Sequence, residues 1–148
     1  MGLDMYLNRK QYIGAHYRHN NILGKVELSD GKGPIPVDVA NISEIIYRAH
    51  YWRKSNQIHG WFVANAQGGE DDCREYDVTS EQLTELRDLC RQVLETKDTG
   101  LLPPAEGFFF GGTEIDEYYF EDLRETEQAL TKTLNEHPNA EYSYQSSW

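Results

Sequence analysis

A chain of 148 residues is long enough for one hydrophobic core and short for two domains of ordinary size. Its formal charge of −11 argues against general binding of phosphate backbones, which proteins neutralise with an excess of Lys and Arg. Aliphatic residues are sparse, so the ten Tyr, five Phe and three Trp must supply much of the buried apolar area.

Leu3, Met5 and Leu7 alternate with Asp4, Tyr6 and Asn8, which predicts a strand with one buried face running to about Arg9. Lys25 to Ser29 and Ile35 to Val39 flank Asp30-Gly31-Lys32-Gly33-Pro34, whose glycines accept positive φ; a hairpin is predicted. From Ile42 the period changes. Ile42, Ile45, Ile46, Ala49, Trp52, Asn56, His59 and Val63 recur at three- and four-residue steps, predicting a helix or two abutting helices over 42–66, capped by Asn41 or Ser43. Gln67 to Asp72 ends it, and Arg74 to Val78 reads as a short strand. Thr79 and Gln82 have the spacing of a capping box, and Leu83, Leu86, Leu89, Cys90, Val93 and Leu94 share a face, so a helix is predicted over 80–96.

Lys97 to Gly107 reads as a surface connection, and Phe108-Phe109-Phe110 as a strand buried on both faces. Thr113 or Asp116 caps a third helix, aligned by Tyr119, Leu123, Thr126, Leu130 and Leu134 and stopped before Pro138. Tyr142 and Tyr144 alternate with Ser143 and Gln145 in a closing strand. This order predicts a single α+β domain over 1–148, with one mixed or mainly antiparallel sheet of about five or six strands and about three helices packed on it. No apolar run suits a signal peptide or a membrane span, and Cys73 and Cys90 are too few for a disulfide framework. A cytoplasmic protein without membrane partners is expected; a single bridge between the two cysteines stays open.

The charge is unevenly placed. Residues 1–60 hold eight Lys/Arg against five Asp/Glu and four of the five His, whereas 61–148 hold six against twenty. Within the basic part, Tyr51, Trp52, Arg53, Asn56 and His59 fall close together. On a helix, Trp52, Asn56, His59 and Val63 would span about 60° of arc. Rings stack on a flat ligand, an amide reads its edge and cations bind phosphate, so these residues form the candidate pocket. The competing reading puts the rings and His59 in the core. His16, Arg18 and His19, expected in a loop after the first strand, could complete the pocket. A zinc site using His16 and His19 with Asp71, Asp72 or Cys73 has no selecting spacing, so no metal or cofactor is expected.

Glu114 and Asp116 sit at a helix start, where carboxylates suit the dipole; with His59 or His16 as base and Glu114 or Asp116 as its partner the chain would be a hydrolase. No GxxxxGK[ST], GxGxxG, HExxH or GxSxG pattern occurs. Glu70-Asp71-Asp72, Glu114 to Glu117, Glu121-Asp122 and Glu125 could instead imitate DNA phosphates towards a basic protein.

The segments MGLDMYL (1–7), YWRKSNQIHGWF (51–62), DDCREYDVT (71–79), GFFFGGTEIDEYYFEDL (107–123) and YSYQSSW (142–148) resemble a family of small bacteriophage and prophage proteins of unassigned function, along the whole chain. The resemblance implies an accessory role against host defence, in the cytoplasm of the bacterial host. The leading expectation is therefore a non-enzymatic protein that binds and sequesters a small anionic, nucleotide-derived host signal. An acidic inhibitor of a host protein and a hydrolase of such a signal are the alternatives. Extended nucleic acid is not an expected partner, and a homo-oligomer is compatible with a pocket between subunits.

Overall fold

A computed structural model describes residues 2–13 and 26–148. The alternation at the start gives β1, Asp4–Tyr12. Leu3, Met5 and Leu7 are fully buried, and Asp4, Tyr6 and Asn8 face the other way. The hairpin is shorter than its flanks suggested: β2, Leu28–Ser29, pairs with β3, Pro34–Ile35. Its turn is closed by the Lys32 amide donating to the Asp30 carboxylate at 2.9 Å, with Gly31 at φ +83°.

The helix expected over 42–66 is corrected to a strand followed by a helix. β4 spans Glu44–Arg53 and α1 spans Asn56–Asn65. The strand pairs with β1, and a bulge sits where Leu7 opposes His50 but Asn8 opposes Arg48, leaving Ala49 extra. That inserted residue shifts the side-chain parity midway. A broken period of two then reads as steps of two and three, close to helical spacing, while Ile45, Ile46, Tyr47, Tyr51 and Trp52 are residue types that favour strands. Lys54, at φ +57°, turns the chain out of β4, and its amide donates to Leu3 O at 2.8 Å.

A short strand, β5, covers Tyr76–Val78, and α2 covers Ser80–Thr96. Its capping box is formed: Gln82 N donates to Thr79 Oγ1 at 3.1 Å and Thr79 N to Gln82 Oε1 at 3.0 Å. Asp116 caps α3, Glu117–Glu136, accepting from Tyr119 N at 3.2 Å. The chain closes with β6, Glu141–Ser147.

The Phe108 to Phe110 strand is also corrected. The segment is a turn, in which Phe110 is buried and Phe108 is 95% exposed. Adjacent rings cannot all face one core, and Gly111, at φ +85°, bends the chain away after a single sheet-like bond from Leu3 N to Phe109 O at 3.0 Å.

Among the described residues the main sheet runs β4-β1-β6-β5, antiparallel throughout. The helices cover one face of it. Leu3, Met5, Leu7, Trp52, Tyr142 and Tyr144 meet Ile58 and Phe62 of α1, Leu83, Leu86, Cys90 and Val93 of α2, and Leu123, Leu130 and Leu134 of α3 in one core. Phe62 lies flat on Tyr144, centroids 3.9 Å apart. Among the described residues seven rings share this core with eight leucines, and this is a single α+β domain. Cys73 and Cys90 are both free thiols, and burial pushes Cys90 up to about 12. No described helix is long and apolar enough to cross a membrane.

Candidate functional site

The face of the sheet opposite the helices carries Asp4, Tyr6, Asn8 and Lys10 from β1 and Glu44, Ile46, Arg48, Tyr51 and Arg53 from β4. None of the core's hydrophobic side chains comes from it. Tyr6 and Tyr51 are register partners, and their rings lie 5.6 Å apart at 35°. The Arg48 guanidinium sits 4.3 Å from the centre of the Tyr6 ring, held by its Nε donating to Asn8 Oδ1 at 2.9 Å. Asp4 organises the other end, accepting from the Tyr51 hydroxyl and from Arg53 Nη1 at 3.3 Å.

That bond to Asp4 raises the Tyr51 phenol above its ordinary range, so it stays neutral and ring-like at physiological pH. Arg53 is raised by the Tyr51 hydroxyl and by Asp4. Arg48 has no ion-pair partner among the described residues. The exposed Tyr51 ring, with Arg53 beside it and Arg48 lying over the half-buried Tyr6 ring, forms a surface that can stack a flat ring and pair an anionic group.

The residues expected to share one pocket are divided. Tyr51 and Arg53 lie on this open face, whereas Trp52 points through the sheet into the core, its indole donating to Thr126 Oγ1 at 2.8 Å. Asn56, also buried, clamps a loop: its amide donates to Phe110 O at 3.1 Å and Gly112 O at 2.9 Å and accepts from Ala105 N at 3.0 Å. His59 is fully buried, with Nε2 2.9 Å from Asp71 Oδ2 and Nδ1 2.7 Å from the Tyr144 hydroxyl. A carboxylate only accepts, so Nε2 carries a proton towards Asp71, and Nδ1 shares a hydrogen bond with the Tyr144 hydroxyl. Trp148 Nε1 donates to the other Asp71 oxygen at 3.1 Å. Trp52, Trp61, Phe62 and His59 are buried as the competing core reading has it, and Asn56, which that reading did not include, is buried beside them.

Glu114 and Asp116 line a different cleft of about 200 Å³, with Lys54, Asn56, Gln57 and Asp122. His59 is not part of that lining, so the catalytic grouping of His59 with Glu114 and Asp116 is not assembled. Burial raises the Asp122 carboxyl, and Gln57 Nε2 donates to it at 3.2 Å. His16, Arg18 and His19 lie outside the described residues. Among the described residues no three His, Cys, Asp or Glu side chains are grouped to hold a metal ion.

Sequence reasoning missed Tyr6, Asn8, Asp4 and Arg48 as site residues. The signal was the polar half of the β1 alternation, which includes a Tyr, and it acquires meaning only once β4 is laid beside it. Comparison of the chain with family models, curated proteins and solved structures found no match.

Proposed function

We propose that this chain is a non-enzymatic binding protein that holds a small flat anion of nucleotide type on the open face of its sheet. The observation that supports the reading is the exposed Tyr51 ring beside Tyr6, with Arg48 lying over the Tyr6 ring and Arg53 held at Asp4, an aromatic and guanidinium patch on a chain of net charge −11. A base stacks on the rings, and the phosphate pairs with the guanidiniums; stacking of this kind contributes roughly 1–3 kcal/mol per base. In the phage setting that the family resemblance implies, the role is to retain a host signalling nucleotide. The acidic remainder of the chain repels long polyanions, which restricts the face to small ligands.

Calorimetry of the purified chain against cyclic nucleotides and ADP-ribose derivatives, with a single-stranded oligonucleotide as a control, tests the reading. Heat from a mononucleotide-sized ligand, lost in Tyr51→Ala, is expected. Folded protein with no heat from any member, or heat from the oligonucleotide alone, contradicts it.

A further inference from the structure

On the helix side of the sheet, α3 leaves a gap against β4. Lys132, Glu136 and His137 of α3, with Arg9 of β1 and Tyr47 and His50 of β4, help to wall a cavity of about 380 Å³ there. That volume lies within the roughly 300–1,000 Å³ of small-molecule pockets. Register partners share a face of the sheet. Arg9 opposes Tyr47 on one side and the buried Tyr142 on the other, and His50 opposes the buried Leu7. In an unbroken strand residues 47 and 50 would face opposite ways; the bulge turns both towards α3. The cavity is therefore on the face opposite Tyr6 and Tyr51.

With 25 Asp and Glu against 14 Lys and Arg, cations in this chain find carboxylates easily: Lys10, Arg53, Arg74, Arg87, Arg91 and Arg124 all do. Arg9 and Lys132 make no ion pair among the described residues, and both line this cavity. The Arg9 guanidinium is steadied 4.0 Å from the centre of the Tyr47 ring. Glu136 is the one carboxylate in the lining, and it lies 3.9 Å from His137 Nε2. A second observation points the same way. His50 packs edge-on to Trp52, centroids 4.5 Å apart, and its Nε2 is buried without a hydrogen-bond partner. Burial lowers its pKa, so the ring is neutral at physiological pH and each nitrogen calls for a partner.

We infer that this cavity binds a small phosphate-bearing anion, at a site separate from the open face. The Arg9 guanidinium and the Lys132 ammonium supply two positive charges for a dianion, the first as a planar fork and the second as a point charge. The Nε2–H tautomer of His50 donates to a further oxygen. Glu136 opposes the anion and weakens its binding.

Inorganic phosphate has no ring to stack, so its binding here is decided separately from nucleotide binding on the open face. The isotope-labelled full chain is titrated at fixed pH with inorganic phosphate and with glycerol 2-phosphate, and sodium chloride of matched ionic strength is the control. Saturable NMR shifts are expected at the Arg9 side chain, Lys132 and the His50 ring, and not with chloride. Tighter binding of the ester assigns the cavity to a phosphorylated metabolite; equal or weaker binding assigns it to free phosphate. Arg9→Gln and Lys132→Ala should each raise the dissociation constant by about fivefold or more. Glu136→Gln should lower it, which a merely structural role for these residues would not produce. Circular dichroism confirms that each variant is folded, and Lys132 and Glu136 are exposed. Shifts that chloride reproduces, shifts confined to the open face, or binding indifferent to all three changes would overturn the inference.

Discussion

Tyr51→Ala removes one ring and the hydroxyl that Asp4 receives. In ligand titrations the loss should be about tenfold or more in affinity, with the fold unchanged, because Tyr51 lies outside the core. His59 shows the opposite behaviour. Its imidazole joins Tyr144 to Asp71, and Asp71 in turn holds Trp148. Tyr144→Phe leaves the buried Nδ1 without its hydrogen-bond partner and should cost about 1–3 kcal/mol in denaturant unfolding. An unchanged midpoint would mean that Nδ1 is satisfied by another group. The sequence showed an amide and an imidazole close together and left His59 open as ligand-binding or core. It did not show that the partners are Phe110, Gly112, Asp71 and Tyr144, which lie far along the chain or in loops, so residues that fasten the core read like residues that bind a ligand.

At the scale of elements, local signals were read correctly where local physics decides. α2 and α3 carry their caps and apolar faces within one segment, and both fall where the sequence places them. Thr79→Ala should lower stability by about 1 kcal/mol, measured by thermal or denaturant unfolding, through loss of the bond to Gln82 N. β4 was misread because its bulge exists only opposite β1, and a pairing defect leaves no mark on a single strand except a broken period. The Phe108 to Phe110 run failed for a related reason, since apolar content without alternation does not say which ring is buried.

Lys10 of β1 reaches Glu75, just ahead of β5. Its hydrogen bond holds the Glu75 carboxyl below the usual range. The folded value is the lower one, so the stabilisation is complete above the ordinary carboxylate range and is lost as pH falls through the folded value. Both side chains are partly exposed, so the pair is worth at most about 1 kcal/mol. Glu75→Gln should unfold earlier than wild type at neutral pH and together with it in acid; a gap that persists in acid would refute this assignment.

Across the whole molecule, charge and layering divide the work. Helices and rings close one face of the sheet, and acidic residues dominate the chain after residue 60. The open face gathers Arg48 and Arg53 beside two Tyr rings. Because its attraction for an anion is largely electrostatic and exposed to solvent, ligand affinity should fall as salt is raised from low to physiological levels. An affinity independent of salt would point to a buried apolar site instead. Arg53 and Tyr51 belong to β4, at the edge of the main sheet among the described residues.

The most direct measurement is a heteronuclear NMR titration of the labelled chain with the nucleotide that gives the largest calorimetric heat. Binding on the open face predicts that the shifted signals concentrate on Asp4, Tyr6 and Asn8 of β1 and on Arg48, Tyr51 and Arg53 of β4, with Tyr ring signals moving furthest. Shifts confined to the cleft of Lys54, Glu114, Asp116 and Asp122, or no shifts in a folded sample, would contradict it.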